Sequence, residues 1–313
     1  MTDITGRHWL MIAVLGLTWG GTFMVVEIAL RGITPFWLAA ARIGLGALVT
    51  STIWQLRGGK LFAQRPTATH LRTLTVIGVF SSAMPFILLN WGQQFVTSGF
   101  AGVSMASVAL IVLPLAHFFV PGEQLTWRRA LGFVIGFVGV SILVGGQAFS
   151  SSGASMELAG RMACMTAACC YACSVILMRR LPEVNPIGLA AVLLLIGSLV
   201  VIPVALIIEG LPPTLDRETL IATLVLALVP TAGANMLRVA VVRSAGPVFM
   251  TLVSYQVPLW SVLLGTVFLA EKLPSAMIWA LGLILFGMGL SQYGALTRLF
   301  GVWSAATQRR PYS

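Results

Sequence analysis

Apolar residues along this chain come in runs of about twenty, and polar residues fall mostly between them. Ten runs can be traced, over about residues 9–29, 35–56, 71–92, 98–120, 128–147, 157–178, 186–208, 219–241, 246–269 and 275–295. A helix needs roughly 17–25 apolar residues to cross a bilayer. Each run therefore predicts one membrane-spanning helix. The links between runs are short, the longest lying around 57–70 and 209–218, so no inserted soluble domain is expected. The stretch after Leu296, through Arg309 and Arg310, is expected to be a surface-associated or disordered cytoplasmic tail.

Composition strengthens this reading. Of 313 residues, 58% are hydrophobic and 9% charged, with a mean hydropathy of +0.95. Soluble domains carry about a quarter charged residues, so this chain lacks the polar surface to cover a globule and lipid is its expected solvent. No cleavable leader is expected, because the first apolar run starts near Trp9 and continues past Leu30 without a short core and small-residue site. The formal charge of +10 does not point to nucleic acid, because most of the cations lie in the links.

There the cations report topology. One alternate set of links and ends holds Arg7, Arg57, Lys60, Arg65, Arg72, Arg128, Arg129, Arg179, Arg180, Arg243, Arg298, Arg309 and Arg310. The other holds Arg31, Arg161, Arg217 and Lys272. The positive-inside rule places both termini in the cytoplasm.

The two halves echo one another. Thr18-Trp19-Gly20-Gly21 running to Pro35 resembles Cys170-Tyr171-Ala172-Cys173 running to Pro186. Val112-Leu113-Pro114-Leu115 is matched by Gln256-Val257-Pro258-Leu259, and Glu123-Gln124-Leu125 by Glu271-Lys272-Leu273. Each half, over 1–147 and 148–296, would hold five spans. An odd number inverts the second half, so the expected fold is an all-α membrane protein of ten transmembrane helices in two inverted-topology repeats. That architecture is associated with transport around a site between the halves; a duplication that only enlarges the bundle is the plainer alternative.

Candidate chemistry is sparse. Arg42 lies about two turns into the second run, where an arginine should face protein or water. It reads as a contact for an anion, or as a partner of Glu27 or of helix-end carbonyls; Glu27 is a possible charge pair or proton site. His117 and Arg238 read as an interfacial residue and a snorkelling cation near span ends. Trp19, Asn90, Gln94, Tyr171, Asn235, Tyr255 and Gln256 are candidate cavity residues, since amides and deep polar aromatics inside a membrane need partners or water. Pro114 and Pro258 are matched helix-bending or gating positions. Gly132, Gly136 and Gly139, like Gly282, Gly287 and Gly289, predict close helix approach. Cys164, Cys169, Cys170 and Cys173 share one run and read as packing residues; no metal or other cofactor is expected. No Walker-type loop occurs, so ATP is not the expected direct energy source.

At these residues the chain resembles the EamA family of the drug/metabolite transporter superfamily. The resemblance rests on Leu17-Thr18-Trp19-Gly20, on Pro35 with Ala41-Arg42, and on Phe86 through Asn90-Trp91-Gly92-Gln93-Gln94. In the second half it rests on Ala245-Gly246, Tyr255-Gln256-Val257-Pro258 and Leu269-Ala270-Glu271-Lys272-Leu273. It implies a ten-helix carrier of small metabolites, often an exporter of amino acids, in a bacterial inner membrane, with a cavity lined by both halves. Glu27 departs from the pattern, standing where many members carry a basic residue. A small-molecule substrate and membrane lipids are the implied partners, with no nucleic acid. An intramembrane enzyme and a non-transporting scaffold subunit are the rival readings.

Overall fold

The computed structural model describes residues 4–62, 65–121, 125–145 and 156–297. The boundary at 147/148, the Glu123–Gln124 pair and the tail beyond Thr297 lie outside the described residues. The apolar runs fold as helices: α1 (Gly6–Ala29), α2 (Pro35–Leu56), α3 (Ala68–Gly92), α4 (Ser98–Phe119) and α5 (Trp127–Gly145), then α6 (Glu157–Met178), α7 (Pro186–Glu209), α8 (Arg217–Ala245), α9 (Val253–Leu269) and α10 (Ser275–Ser291). A four-residue turn of helix, Pro247–Met250, precedes α9. Eight of these helices are long and apolar enough to cross a membrane, and α9 and α10 are apolar but shorter. The described residues contain no strand, only an isolated bridge between Phe62 and Val184.

The starts of the helices are written locally. Proline occupies the first turn of α2 and of α7, where its missing N–H costs nothing. Asn185 Oδ1 accepts from the amides of Ile187 and Gly188 at 3.0 and 3.1 Å. Thr97 caps α4, and Asp216 caps α8 by accepting from Thr219 N at 3.1 Å. Hydrogen bonding from Thr219, by its side chain first and then its backbone, holds the exposed Asp216 carboxyl below its ordinary range.

Close packing follows the small residues. A Cβ placed on Gly20 would sit 2.5 Å from Trp260 Cβ and 2.8 Å from the Val257 carbonyl, so α1 touches the backbone of α9. One on Gly287 would sit 2.5 Å from the Gly132 carbonyl, so α10 lies against α5 with no side chain between them. In lipid such contact replaces the hydrophobic force that joins helices in water. Other close pairs are α2 with α7, α4 with α6 and α9, α1 with α8, and α3 with α6. The largest apolar cluster lies where α1, α4, α6, α9 and α10 meet, around Phe23, Phe100, Val103, Ala167, Val262 and Ile284.

Two helices change pitch midway. Residues 79–83 of α3 and 227–233 of α8 form π-helical turns. Each goes with a proline, Pro85 just after the first and Pro230 inside the second, whose missing N–H leaves a carbonyl of the preceding turn without its α-helical donor. In α8 the orphan is the Leu226 carbonyl, and the Thr231 hydroxyl takes its place as donor at 2.8 Å. The π turn of α3 packs on α7, and that of α8 on α2.

Pro114 and Pro258 both lie inside helices that continue through them. Ala270, at the end of α9, adopts the left-handed conformation with φ 52°. This turn lets the amide of Glu271 reach back to the Gly265 carbonyl at 3.2 Å and sends the Glu271 side chain toward α4.

Candidate functional site

The π turn of α8 is where the sequence-predicted polar residues converge. Arg42, 9% exposed on α2, donates from Nε to the Thr231 hydroxyl at 2.9 Å. Its guanidinium carbon stands 4.5 Å from the centre of the Phe86 ring on α3. Tyr171 on α6 lies within electrostatic reach of the same guanidinium. Trp19 on α1 donates its indole N–H to the Pro230 carbonyl at 3.2 Å. Asn235 donates its amide to the Thr231 carbonyl at 2.6 Å. The π turn thus exposes backbone and hydroxyl acceptors, and side chains from α1, α2 and α8 itself occupy them.

Asn90 is buried and donates to the Pro35 carbonyl at 3.2 Å, tying α3 to the start of α2. It stands five residues after Pro85, as Asn235 stands five after Pro230. Gln256 is half-buried with its side chain against Gly16. Tyr255 is half-buried beside the main apolar cluster, and its hydroxyl is buried without a hydrogen-bond partner.

Two candidates sit apart from this cluster. Glu27 and Arg42 do not pair: among the described residues Arg42 faces α8, and Glu27 lies near Glu271 and Arg31 on another side of α1. Gln94 is exposed beyond the end of α3. Its neighbour Gln93 is buried instead, donating to the Phe23 carbonyl at 2.9 Å. A one-residue step at a helix end decides which amide enters the protein.

The two ends of the bundle differ. At the end holding the α1–α2, α3–α4, α7–α8 and α9–α10 links, carboxylates of the second half grip helix starts of the first. Glu209 at the end of α7 accepts from Phe36 N at 3.2 Å, Trp37 N at 3.0 Å and the Thr34 hydroxyl at 2.5 Å. Glu271 accepts from Ser98 N at 2.7 Å and Gly99 N at 3.1 Å. Both carboxylates meet the positive end of a helix, where orphan amides favour an anion. Also at this end, Arg161 pairs with Glu157 and donates to the Val144 carbonyl at 2.8 Å.

The opposite end carries most of the link arginines and is hollow. A recess of about 1020 Å³ lies between the ends of α4, α6 and α10 and the starts of α5 and α9, its walls including His117, Arg128, Arg129, Arg179 and Thr251. A smaller recess of about 280 Å³ lies between α1, α8 and α9, walled by Trp19, Arg238, Met250, Thr251, Val253, Ser254 and Val257. Thr251 lines both. Of the eight candidate cavity residues, Trp19 is the one that lines either recess.

Arg238 is the functional candidate that the sequence reading undervalued. α8 runs on to Ala245, so Arg238 sits seven residues inside its end. The expected end near residue 241 made it look like a boundary cation. Among the described residues no group of three or more His, Cys, Asp and Glu could hold a metal ion.

Comparison with known proteins gives consistent results. The profile of the EamA-like transporter family matches the chain twice, over residues 7–145 and 158–292. The chain is 28% identical over 287 residues to the uncharacterized inner membrane transporter YedA of Escherichia coli K12, covering 90% of this chain and 89% of that one. It is 27% identical over 153 residues to a protein of Streptantibioticus cattleyicolor named "probable terminal-alkyne amino-acid exporter", covering 48% of this chain and 50% of that one. An uncharacterized transporter of Archaeoglobus fulgidus is likewise matched over 47% of its length, at 23% identity and over 44% of this chain, so the chain aligns with about half of each of these two relatives. One solved structure has the same fold, with a TM-score of 0.65 at 18% identity over 92% of this chain and 98% of its own.

Proposed function

The chain belongs to the EamA-like transporter family, and from that premise we propose that it is a secondary carrier of small metabolites, amino acids among them, working by alternating access. The observation that carries this reading is how the helices pair. Exchanging α1–α5 for α6–α10 leaves the pairs α2 with α7, α4 with α9 and α5 with α10 unchanged. The same exchange turns α1 with α9 into α6 with α4, α1 with α8 into α6 with α3, and α2 with α8 into α7 with α3. Two equivalent halves facing opposite ways would pack so, and the double family match supports it. In this reading α9 and α10 also span, which makes ten crossings in two inverted repeats.

The link charges favour cytoplasmic termini and so put the arginine end inside. A bacterial inner membrane is the location in keeping with YedA. The tied carboxylate end and the hollow arginine end then correspond to an inward-open state. Release of the Glu209 and Glu271 ties and closure around Thr251 would give the outward-open one. Amino acids are favoured as cargo by the name of the Streptantibioticus relative. Trp19, Arg42, Asn90, Tyr171, Asn235, Tyr255 and Gln256 would line the path as the halves move, and Pro114 and Pro258 would be bending points.

Purified protein in liposomes should exchange a labelled solute from a panel of amino acids, nucleosides and short organic acids faster than empty vesicles. Folded protein giving no flux above empty vesicles across that panel would reject the carrier reading.

A further inference from the structure

Arg238 lies seven residues inside the end of α8, about 10 Å along the axis, and is not part of the link charges that report topology. Among the described residues it makes no hydrogen bond and no ion pair, yet its side chain is exposed and walls the smaller recess. A guanidinium placed within a span faces protein or water and ordinarily finds a partner there. The remaining walls offer none with a negative charge. They are the Trp19 indole, the apolar side chains of Met250, Val253 and Val257, and the hydroxyls of Thr251 and Ser254. Among the described residues no Asp or Glu lines either recess, and Arg128, Arg129 and Arg179 stand in the wider one, which shares Thr251 with it.

We propose that the recess between α1, α8 and α9 is an anion subsite in which Arg238 pairs with the carboxylate of a small amphipathic solute. Arginine presents a planar fork of donors that suits a carboxylate. Trp19 and Val257 would pack the solute's apolar part, and the Ser254 hydroxyl would accept from or donate to its remaining polar groups. The arginines of the wider recess would raise the local concentration of anions at the entrance. The volume of about 280 Å³ suits a solute near amino-acid size. This inference rests on the carrier reading and sharpens it: the cargo must bear a carboxylate, and amines without one are excluded.

The test compares acids with their own primary amides. Purified full-length protein is titrated calorimetrically with L-leucine, L-phenylalanine and hexanoate, and with leucinamide, phenylalaninamide and hexanamide. At least one acid should bind tenfold or more tighter than its amide, the range of about ten- to a hundredfold expected for a charged hydrogen-bonded contact. R238Q should erase that difference, and R238K should keep part of it, with melting in the absence of solute unchanged. The wild-type comparison needs no variant, so it stands even if R238Q fails to fold. Equal binding of acid and amide, no binding by any acid, or an acid preference that survives in R238Q would overturn the inference. Binding with acid preference but no flux in liposomes would uphold the subsite and reject the carrier; flux without acid preference would do the reverse.

Discussion

Glu271→Gln removes a charge from the end of α4 while keeping the side chain's shape. In the native protein both carboxylate oxygens are used, on Ser98 N at 2.7 Å and on Gly99 N at 3.1 Å. Glutamine keeps one oxygen acceptor and replaces the other by a donor that faces an amide N–H. One charge-assisted bond becomes neutral and one is lost, and the favourable term with the helix N-terminus goes with the charge. Allowing for water at a half-exposed rim, the closed mouth should lose about 2 kcal/mol relative to the open one, roughly a thirtyfold change in their ratio. The reporter is a cysteine at Ser98, a fully buried position, in a background freed of Cys164, Cys169, Cys170 and Cys173. An impermeant maleimide applied at the carboxylate face should label it roughly thirtyfold faster in the Glu271→Gln variant. Rates within twofold of the parent in the Glu271→Gln variant, with melting unchanged, would refute the claim that this carboxylate holds the mouth shut.

Other substitutions test the frame around it. Thr231→Val leaves the Leu226 carbonyl and Arg42 Nε unpaired in a buried place; thermal melting should report a loss of about 2–4 kcal/mol, and Thr231→Ser should restore most of it. Gly287→Val drives a side chain into the Gly132 carbonyl and the Gly136 amide, at 2.5 and 2.6 Å from an ideal Cβ, and should cost about 1–3 kcal/mol through displacement of α5 from α10. Ala270→Gly relieves the left-handed turn and should raise stability by up to about 1 kcal/mol, whereas Ala270→Val should lower it; equal melting of the three would argue against strain there.

The helices were legible because length and hydropathy alone demand them. Pro35 and Pro186 marked the starts of α2 and α7, and the glycines of α5 and α10 marked their close approach. What periodicity does not carry is rotation about a helix axis. Glu27 and Arg42 are near in sequence and both lie within helices, but their side chains serve different neighbours. The π turns were equally hidden, since one extra residue in a turn leaves the apolar run unbroken; the prolines within or just after them were the available signal. The depth of Arg238 was missed because Arg243 and Ser244 look like a boundary, although α8 continues through both.

The ties by Glu209 and Glu271 sit at one end, and both run from the second half to the first. For the Glu209 tie no acid stands at the end of α2 to grip α7 in return, residues 54–57 there being Trp, Gln, Leu and Arg; Glu123, the counterpart of Glu271, lies outside the described residues. On the proposed carrier reading, the Glu209 tie favours the state with this mouth shut. Solute arriving at the shut side meets only the small fraction of molecules open to it, and its apparent affinity is weakened by that fraction. Solute at the hollow side meets nearly the full population. The half-saturation concentration should therefore differ between the two faces. The final concentration ratio should not, because a bias in the empty protein does no work on the solute.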